Sequence, residues 1–237
     1  WGWHFGHGLV RTPSNFGLLG EAPSHPQLLD WLAASFVEDG WSLKALHRRI
    51  LNSATWRQSS QFDEASFNAD GDNRLLWRMN PHKLTAEVWR DSALFVSGEL
   101  DPELGGKPFD NPDTDLRRTI HARASRNGDH FGTDRFLRLF EFPVPRSSVA
   151  RRTPTITPQQ SLFLLNNAFV EKRAEALAAR MKEREEPVHF LYRVPFSRKP
   201  EPAELKVGLK FLSGVDPAKN RHYAHALLAS NEFMFME

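Results

Sequence analysis

Apolar residues recur at three- and four-residue spacing along most of this chain, and the segments that break the pattern are rich in Gly, Pro and Asp. Leu28, Leu29, Leu32, Ala33, Phe36 and Val37 share one helical face, the periodicity of an amphipathic helix. Ser24 and Gln27 have the capping-box spacing at its start, and Gly40 closes it. Ser42 predicts the cap of a second helix bearing Leu43, Leu46, Ile50, Leu51 and Ala54, and the short join Asp39–Gly40–Trp41 predicts a helical hairpin. A third helix is expected over about Lys83–Ser97, with Leu84, Val88, Phe95 and Val96 apolar and Gly98 ending it. Thr157, Pro158 and Gln160 supply cap, first-turn proline and capping-box glutamine for a fourth. Its stripe continues through Leu162, Leu165, Phe169 and Leu177 towards Met181. Smaller helical patterns cover Val188–Val194, Ala203–Leu212 and about Ala218–Phe235.

Between these segments, 59–72 and 100–115 read as loops, the second long and ordered. Arg117–Arg126 is expected to form a short strand, Asn127–Thr133 a further loop, and the apolar run Phe136–Phe142 is too short to assign. The expected fold is therefore mainly α: one irregular multi-helix domain over residues 1–237, with long ordered loops and at most a few short strands.

Composition narrows the function classes. The chain has 40% hydrophobic and 25% charged residues, as a globular protein does. Its formal charge of +2 lacks the clustered excess expected of a nucleic-acid binder. No apolar run approaches the roughly 18–20 residues that cross a bilayer. With no cysteine, disulfides, a thiol nucleophile, thiolate metal sites and covalent haem attachment are excluded. The dense apolar opening WGWHFGHGLV reads as the interior of a longer protein.

The densest polar constellation lies on the third helix. Glu87 and Asp91 are four residues apart, so both carboxylates share one face, with Arg90 beside them. As an acid/base pair tuned by arginines they are candidate catalytic residues; a structural ion-pair network is the alternative. Arg117, Arg118, Arg151 and Arg152 are within reach in a compact fold. The histidine pairs His4/His7 and His222/His225 lack a third ligand at suitable spacing, so no metal site is expected. His25 belongs to the helix entrance, and Phe5–Gly6–His7–Gly8 reads as a tight turn rather than a phosphate loop. No Gly-x-Ser-x-Gly elbow is present. Seven tryptophans and eighteen phenylalanines make a heavy aromatic load, and core packing is the expected role of Trp31, Trp41, Trp77 and Trp89.

These motifs together resemble a planctomycete-type domain of unknown function. The resemblance is carried by FGHGLVRTPSNFGLLGEAPSHPQLLDWLAASFVEDGWSLKALHRRIL, NRLLWRMN, LTAEVWRDSALFVSG with Gly105–Gly106, RRTPTITPQQSLFLLNNAFV and the ending HALLASNEFMFME, in order over nearly the whole chain. It implies the C-terminal part of a large exported protein, extracytoplasmic and behind a companion domain. Many such proteins also carry an N-terminal cytochrome-c-like domain. Haem would then sit in that separate domain, with no cofactor in this chain. The resemblance also implies an association with polysaccharide use, but no catalytic residue. Where some members have a cysteine, this chain has Val149. The motif segments contain Arg74, Arg78, Glu87, Arg90, Asp91, Arg152, Gln159 and Asn166. A polar cluster of these residues is expected on the ground that buried charges need partners, either linking the third helix to the Thr157–Asn166 helix start or lining a cleft.

Taken together, these readings favour a non-catalytic interaction or scaffolding domain. Its expected partners are neighbouring domains of the same polypeptide, with glycans as a second class; neither nucleic-acid binding nor membrane insertion is expected. The competing reading is a polysaccharide-active enzyme using Glu87 and Asp91.

Overall fold

The helical periodicity is realised along most of the chain in a computed structural model, which describes residues 1–126, 130–182, 184–214 and 216–236. The fold is mainly α. Twelve helices are found among the described residues: α1 (Gly2–Phe5), α2 (Pro26–Glu38), α3 (Leu43–Leu51), α4 (Glu64–Ala69), α5 (Ala86–Ser97), α6 (Gly132–Leu139), α7 (Pro158–Asn166), α8 (Ala168–Lys182), α9 (Pro187–Phe196), α10 (Pro202–Leu212), α11 (Pro217–Leu228) and α12 (Asn231–Met234). Among the described residues, strand content is limited to β1 (His82–Lys83) and β2 (Phe235–Met236). The chain gathers into two compact units, Trp1–His82 and Lys83–Met236.

In the first unit, α2 and α3 form the expected hairpin, and the Ser42 hydroxyl caps α3 by accepting from Ala45 N–H at 3.2 Å. Ser24 is not the cap of α2. His25 occupies that position without a side-chain cap bond, while the Ser24 hydroxyl donates to the Leu9 carbonyl. The segment 59–72 is not all loop, because Asp63 accepts from Ser66 N–H at 2.8 Å and starts α4. Sequence reading missed it because this helix has no buried residue and so no apolar period. Buried apolar residues are few here: Phe5, Leu9, Ile50 and Met79. Trp31 and Trp41 are 53% and 68% exposed, contrary to the expected core role, and Trp77 is half-buried with its indole N–H donating to the Asp70 carbonyl. An apolar residue on a helix face enters the core only if another element covers that face, which composition does not reveal. Gly6, at φ +81°, forms the tight turn after α1.

The second unit is built on α8, whose Phe169, Val170, Ala174, Leu177, Ala178 and Met181 are buried against α5, α9 and α11. Trp89 of α5 lies at the centre of an aromatic group, stacked on Phe140 at 5.4 Å and flanked by Phe136, Phe163 and Phe169. The Thr157–Gln160 capping box forms as expected. The helix it starts ends at Asn166, however, because Asn167 turns extended and its side chain accepts from Phe169 N–H, opening α8 separately. Leu162 and Leu165 consequently face solvent, while Leu164 is buried. The last pattern likewise divides into α11 and α12, where the Ser230 hydroxyl accepts from Phe233 N–H. Phe136 lies in α6, and Arg117–Arg126 is a 3-10 turn (Thr119–His121) between isolated bridges rather than a strand. Of the expected loop Asn127–Thr133, residues 127–129 lie outside the described residues, and Gly132 already opens α6.

Close packing sets one testable limit. A Cβ on Gly208 of α10 would sit 2.7 Å from the Tyr223 hydroxyl and 2.9 and 3.1 Å from the Val188 methyls. Ala gains about 1 kcal/mol of helix propensity over Gly, but overpacking costs about 1–3 kcal/mol. Gly208→Ala is therefore expected to destabilise the unit in urea titration, and a gain in stability would show that Val188 and Tyr223 move aside freely.

Candidate functional site

Helix α5 has two apolar faces. Trp89, Ala93, Leu94 and Val96 enter the core, whereas Val88, Ser92 and Phe95, at helical spacing, line an open groove of about 610 Å³. Of the expected apolar face, Val88 and Phe95 thus turn to the groove, with Phe95 67% exposed, whereas Val96 is buried in the core and Leu84 packs against it. Leu100, Ile120, Ala122, Ala124, Leu137 and Phe142 complete the apolar lining, while Glu87, Asp91, Arg118 and Thr119 supply the polar groups. Both carboxylates singled out from the sequence therefore lie at one groove.

Each is already committed. Glu87 receives two hydrogen bonds from Arg152, both at 2.8 Å, and that guanidinium lies over the Phe142 ring. Asp91 Oδ1 accepts from the N–H and the hydroxyl of Thr119, both at 2.7 Å, and Oδ2 accepts from Arg118 at 3.2 Å. Burial works to raise the Glu87 carboxyl, but the Arg152 hydrogen bonds and charge, with those from its own backbone and Thr85, outweigh it and hold the group below the usual glutamate value.

The sign of that shift gives a pH prediction. A carboxyl depressed in the folded state contributes stability in full above its unfolded value and loses it as pH falls through the folded one. Wild type should therefore lose more stability than Glu87→Gln between about pH 5 and pH 3. Parallel urea titrations of the two proteins check this, and equal losses would show that the Arg152 pairing does not hold the carboxylate in solution.

Arg90 points away from the groove and is fully buried. It donates to the Pro112 and Arg117 carbonyls at 3.0 Å each, to the Thr119 hydroxyl at 3.2 Å and to the Asp115 carbonyl. Burial pushes its guanidinium down to about 10, partly offset by Asp91 and Asp115, so it stays charged at neutral pH. One side chain thereby fastens the segment 112–119, which carries Arg118 and Thr119 to Asp91.

The remainder of the expected polar cluster divides. Arg74 and Arg78 take their partners within the first unit: Arg74 with Glu21 at 3.7 Å, and Arg78 with the Ser60 carbonyl and over the Trp77 and Phe62 rings. Gln159 is exposed, and Asn166, also exposed, donates to the Leu162 carbonyl of its own helix. The network is built instead by the neighbouring Gln160, which bonds Glu141 at 2.6 Å and the Leu139 carbonyl and accepts from Lys83 at 2.9 Å. Lys83, its side chain 3% exposed, also donates to Glu141 at 2.8 Å and to the Thr155 carbonyl. Glu141 reaches this position from φ +60°, a conformation costing a non-glycine residue roughly 1–2 kcal/mol. Its carboxyl lies below the usual value: burial opposes the shift, and Lys83, Thr155 and Gln160 outweigh it. Gln160 was visible as a capping residue; Lys83 and Glu141 carried no local signal.

His4 Nε2 lies 2.8 Å from His47 Nδ1, and His225 Nε2 lies 2.8 Å from the Leu164 carbonyl while His222 is exposed. Among the described residues, no group of three His, Asp or Glu side chains is placed to hold a metal ion. No helix among them is long and apolar enough to cross a membrane.

Among known families, the one described as PSD1, Protein of unknown function (DUF1553), matches residues 1–212. No curated protein and no solved structure matches the chain.

Proposed function

Because the chain belongs to the DUF1553 family of proteins of unknown function, we propose that it is a non-catalytic interaction domain that docks a partner at the α5 groove. One observation carries this reading: both carboxylates at the groove are fully engaged by Arg152, Arg118 and Thr119. A general acid must hold its proton at working pH, and glycosidases raise that pKa. The Glu87 carboxyl is shifted the other way. Apolar lining with a few satisfied polar groups suits recognition.

The wider context is part of the same proposal and is supported by the motif resemblance. It comprises a C-terminal position in a planctomycete-type exported protein, an extracytoplasmic location, and haem confined to a separate cytochrome-c-like domain. The partners are then neighbouring domains of the same polypeptide, with glycans as the second class. The competing polysaccharide-cleaving reading draws on the groove's position over both Glu87 and Asp91.

Polysaccharide pulldown with a reducing-end assay tests the choice, using wild type and the Glu87→Gln/Asp91→Asn double variant. No release of reducing ends by wild type is the expected result. Cleavage by wild type that is lost in a folded double variant overturns the proposal in favour of an enzyme.

A further inference from the structure

The segment that follows Arg118 supplies Thr119, Ile120, Ala122 and Ala124 to the groove lining. Phe109 N–H donates to the His121 carbonyl at 3.1 Å and Arg123 N–H to the Phe109 carbonyl at 2.9 Å, forming an isolated parallel bridge of Phe109 with Ala122. One residue further on, the Thr133 hydroxyl donates to the Arg123 carbonyl and Ser125 N–H donates to Asp134, both at 2.6 Å. The backbone groups of 121, 123 and 125 are therefore used towards the protein. The Ala122 N–H closes the 3-10 turn by donating to the Thr119 carbonyl at 2.9 Å, and the chain turns extended at Ala122. In extended chain, alternate residues aim their backbone groups to opposite sides, so the Ala122 carbonyl and the groups of Ala124 point the other way. The Ala122 carbonyl and the Ala124 N–H and carbonyl have no hydrogen-bond partner among the described residues. Both alanines line the groove, and their short side chains leave this edge uncovered.

An unpaired edge beside an apolar trough, faced by a helix, has the parts needed for strand addition. Main-chain hydrogen bonds supply affinity, and pockets for alternate side chains supply specificity. Charge selects the kind of strand. Arg118 spends only its Nε on Asp91, its side chain is 53% exposed, and its terminal nitrogens have no partner among the described residues. Arg117, Arg123 and Arg152 are paired with Asp115, Asp110 and Glu87, so the cationic group the groove offers an incoming anion is the terminal pair of nitrogens on Arg118.

We propose that the groove binds an extended, acidic peptide segment of a protein partner. The peptide pairs along Ala122–Ala124, places an apolar side chain between Phe95 and Ile120, and sets a carboxylate on Arg118. This rests on the interaction-domain reading and names the partner it takes.

The test is selection of random eight-residue peptides displayed against the full chain. The best sequence is then synthesised with a fluorescent label, titrated, and followed by amide exchange. Selected peptides are expected to alternate apolar residues and to carry Asp or Glu. Their binding should slow exchange at the Ala124 amide and weaken as salt screens Arg118. Ala124→Pro removes that N–H without breaking any internal hydrogen bond and is expected to weaken binding about tenfold. Phe95→Asp, at an exposed side chain, should also weaken it and covers the case in which Ala124→Pro perturbs the fold. Failure of any peptide to enrich overturns the proposal, as does a peptide that binds both variants as tightly as wild type. Protection of the Ala124 amide by a polysaccharide in place of a peptide overturns it too. Reducing-end release in the earlier assay would instead overturn the interaction-domain reading, so the two failures are distinguishable.

Discussion

Arg90→Met is expected to destabilise the Lys83–Met236 unit by about 3–5 kcal/mol and to release the segment 112–119 before the helices unfold. The substitution roughly preserves volume, so the loss is not a cavity effect. It removes the donor from the Pro112, Asp115 and Arg117 carbonyls and from the Thr119 hydroxyl, which all accept from one guanidinium, and among the described residues only the hydroxyl of these keeps another bond, to Asp91. A hydrogen bond to a charged donor is worth about 1.5–3 kcal/mol. Four of them add sub-linearly and are opposed by relief of the buried charge, which gives the range stated. Arg90→Lys should recover less than half, because a single ammonium cannot span acceptors that a planar fork reaches together. Urea titration gives the global loss, and amide exchange at 109–123 gives the local one. A loss below about 1 kcal/mol, with unchanged exchange at 109–123, would show that the Phe109–Ala122 bridge and the Asp91–Thr119 bonds hold the segment unaided.

Trp89→Ala is the second large effect, about 3–5 kcal/mol, or a melting shift of roughly 6–20 °C for a unit of this size. Trp89 is fully buried against four phenylalanines, so truncation opens a cavity bounded by rigid rings that cannot collapse into it. Trp89→Phe separates volume from polarity. The indole nitrogen has no hydrogen-bond partner among the described residues, so its removal forfeits no polar contact. The Phe variant should therefore lose only about 1–2 kcal/mol. Equal losses for Ala and Phe would point to a polar role for that nitrogen. Differential scanning calorimetry of the two variants decides between them.

Both effects concern the groove, since Trp89 and Arg90 fix the buried side of the helix whose other side lines it. The sequence reading identified that helix, its Gly98 terminus and its two groove carboxylates. It also anticipated the caps at Ser42 and Thr157. These features are legible because they are local: a cap or a left-handed terminus is decided within about four residues. The assignment of Ser24 as a cap failed because the Ser24 hydroxyl bonds the carbonyl of Leu9, fifteen residues away. The same limit explains why Gln159 was chosen from the motif while Gln160 does the bonding: their partners, Lys83 and Glu141, come from elements 77 and 19 residues distant from Gln160.

Periodicity and capping chemistry thus determined that this chain is mainly α-helical, roughly where its helices lie, and that Glu87 and Asp91 share a face. Tertiary structure alone decided the rest. Val88 and Phe95 line a groove while Trp89 and Ala93 fill the core, because α5 is apolar on two sides and only packing chooses between them. Both carboxylates are engaged by Arg118, Thr119 and Arg152, residues 27 to 65 positions away in the chain. The Ala122 carbonyl and the Ala124 backbone groups are left unpaired among the described residues because the distant Phe109 and Thr133 take the opposite side of that segment. Local propensity is a short-range energy, whereas burial, ion pairing and the availability of a backbone edge depend on which remote segments arrive alongside.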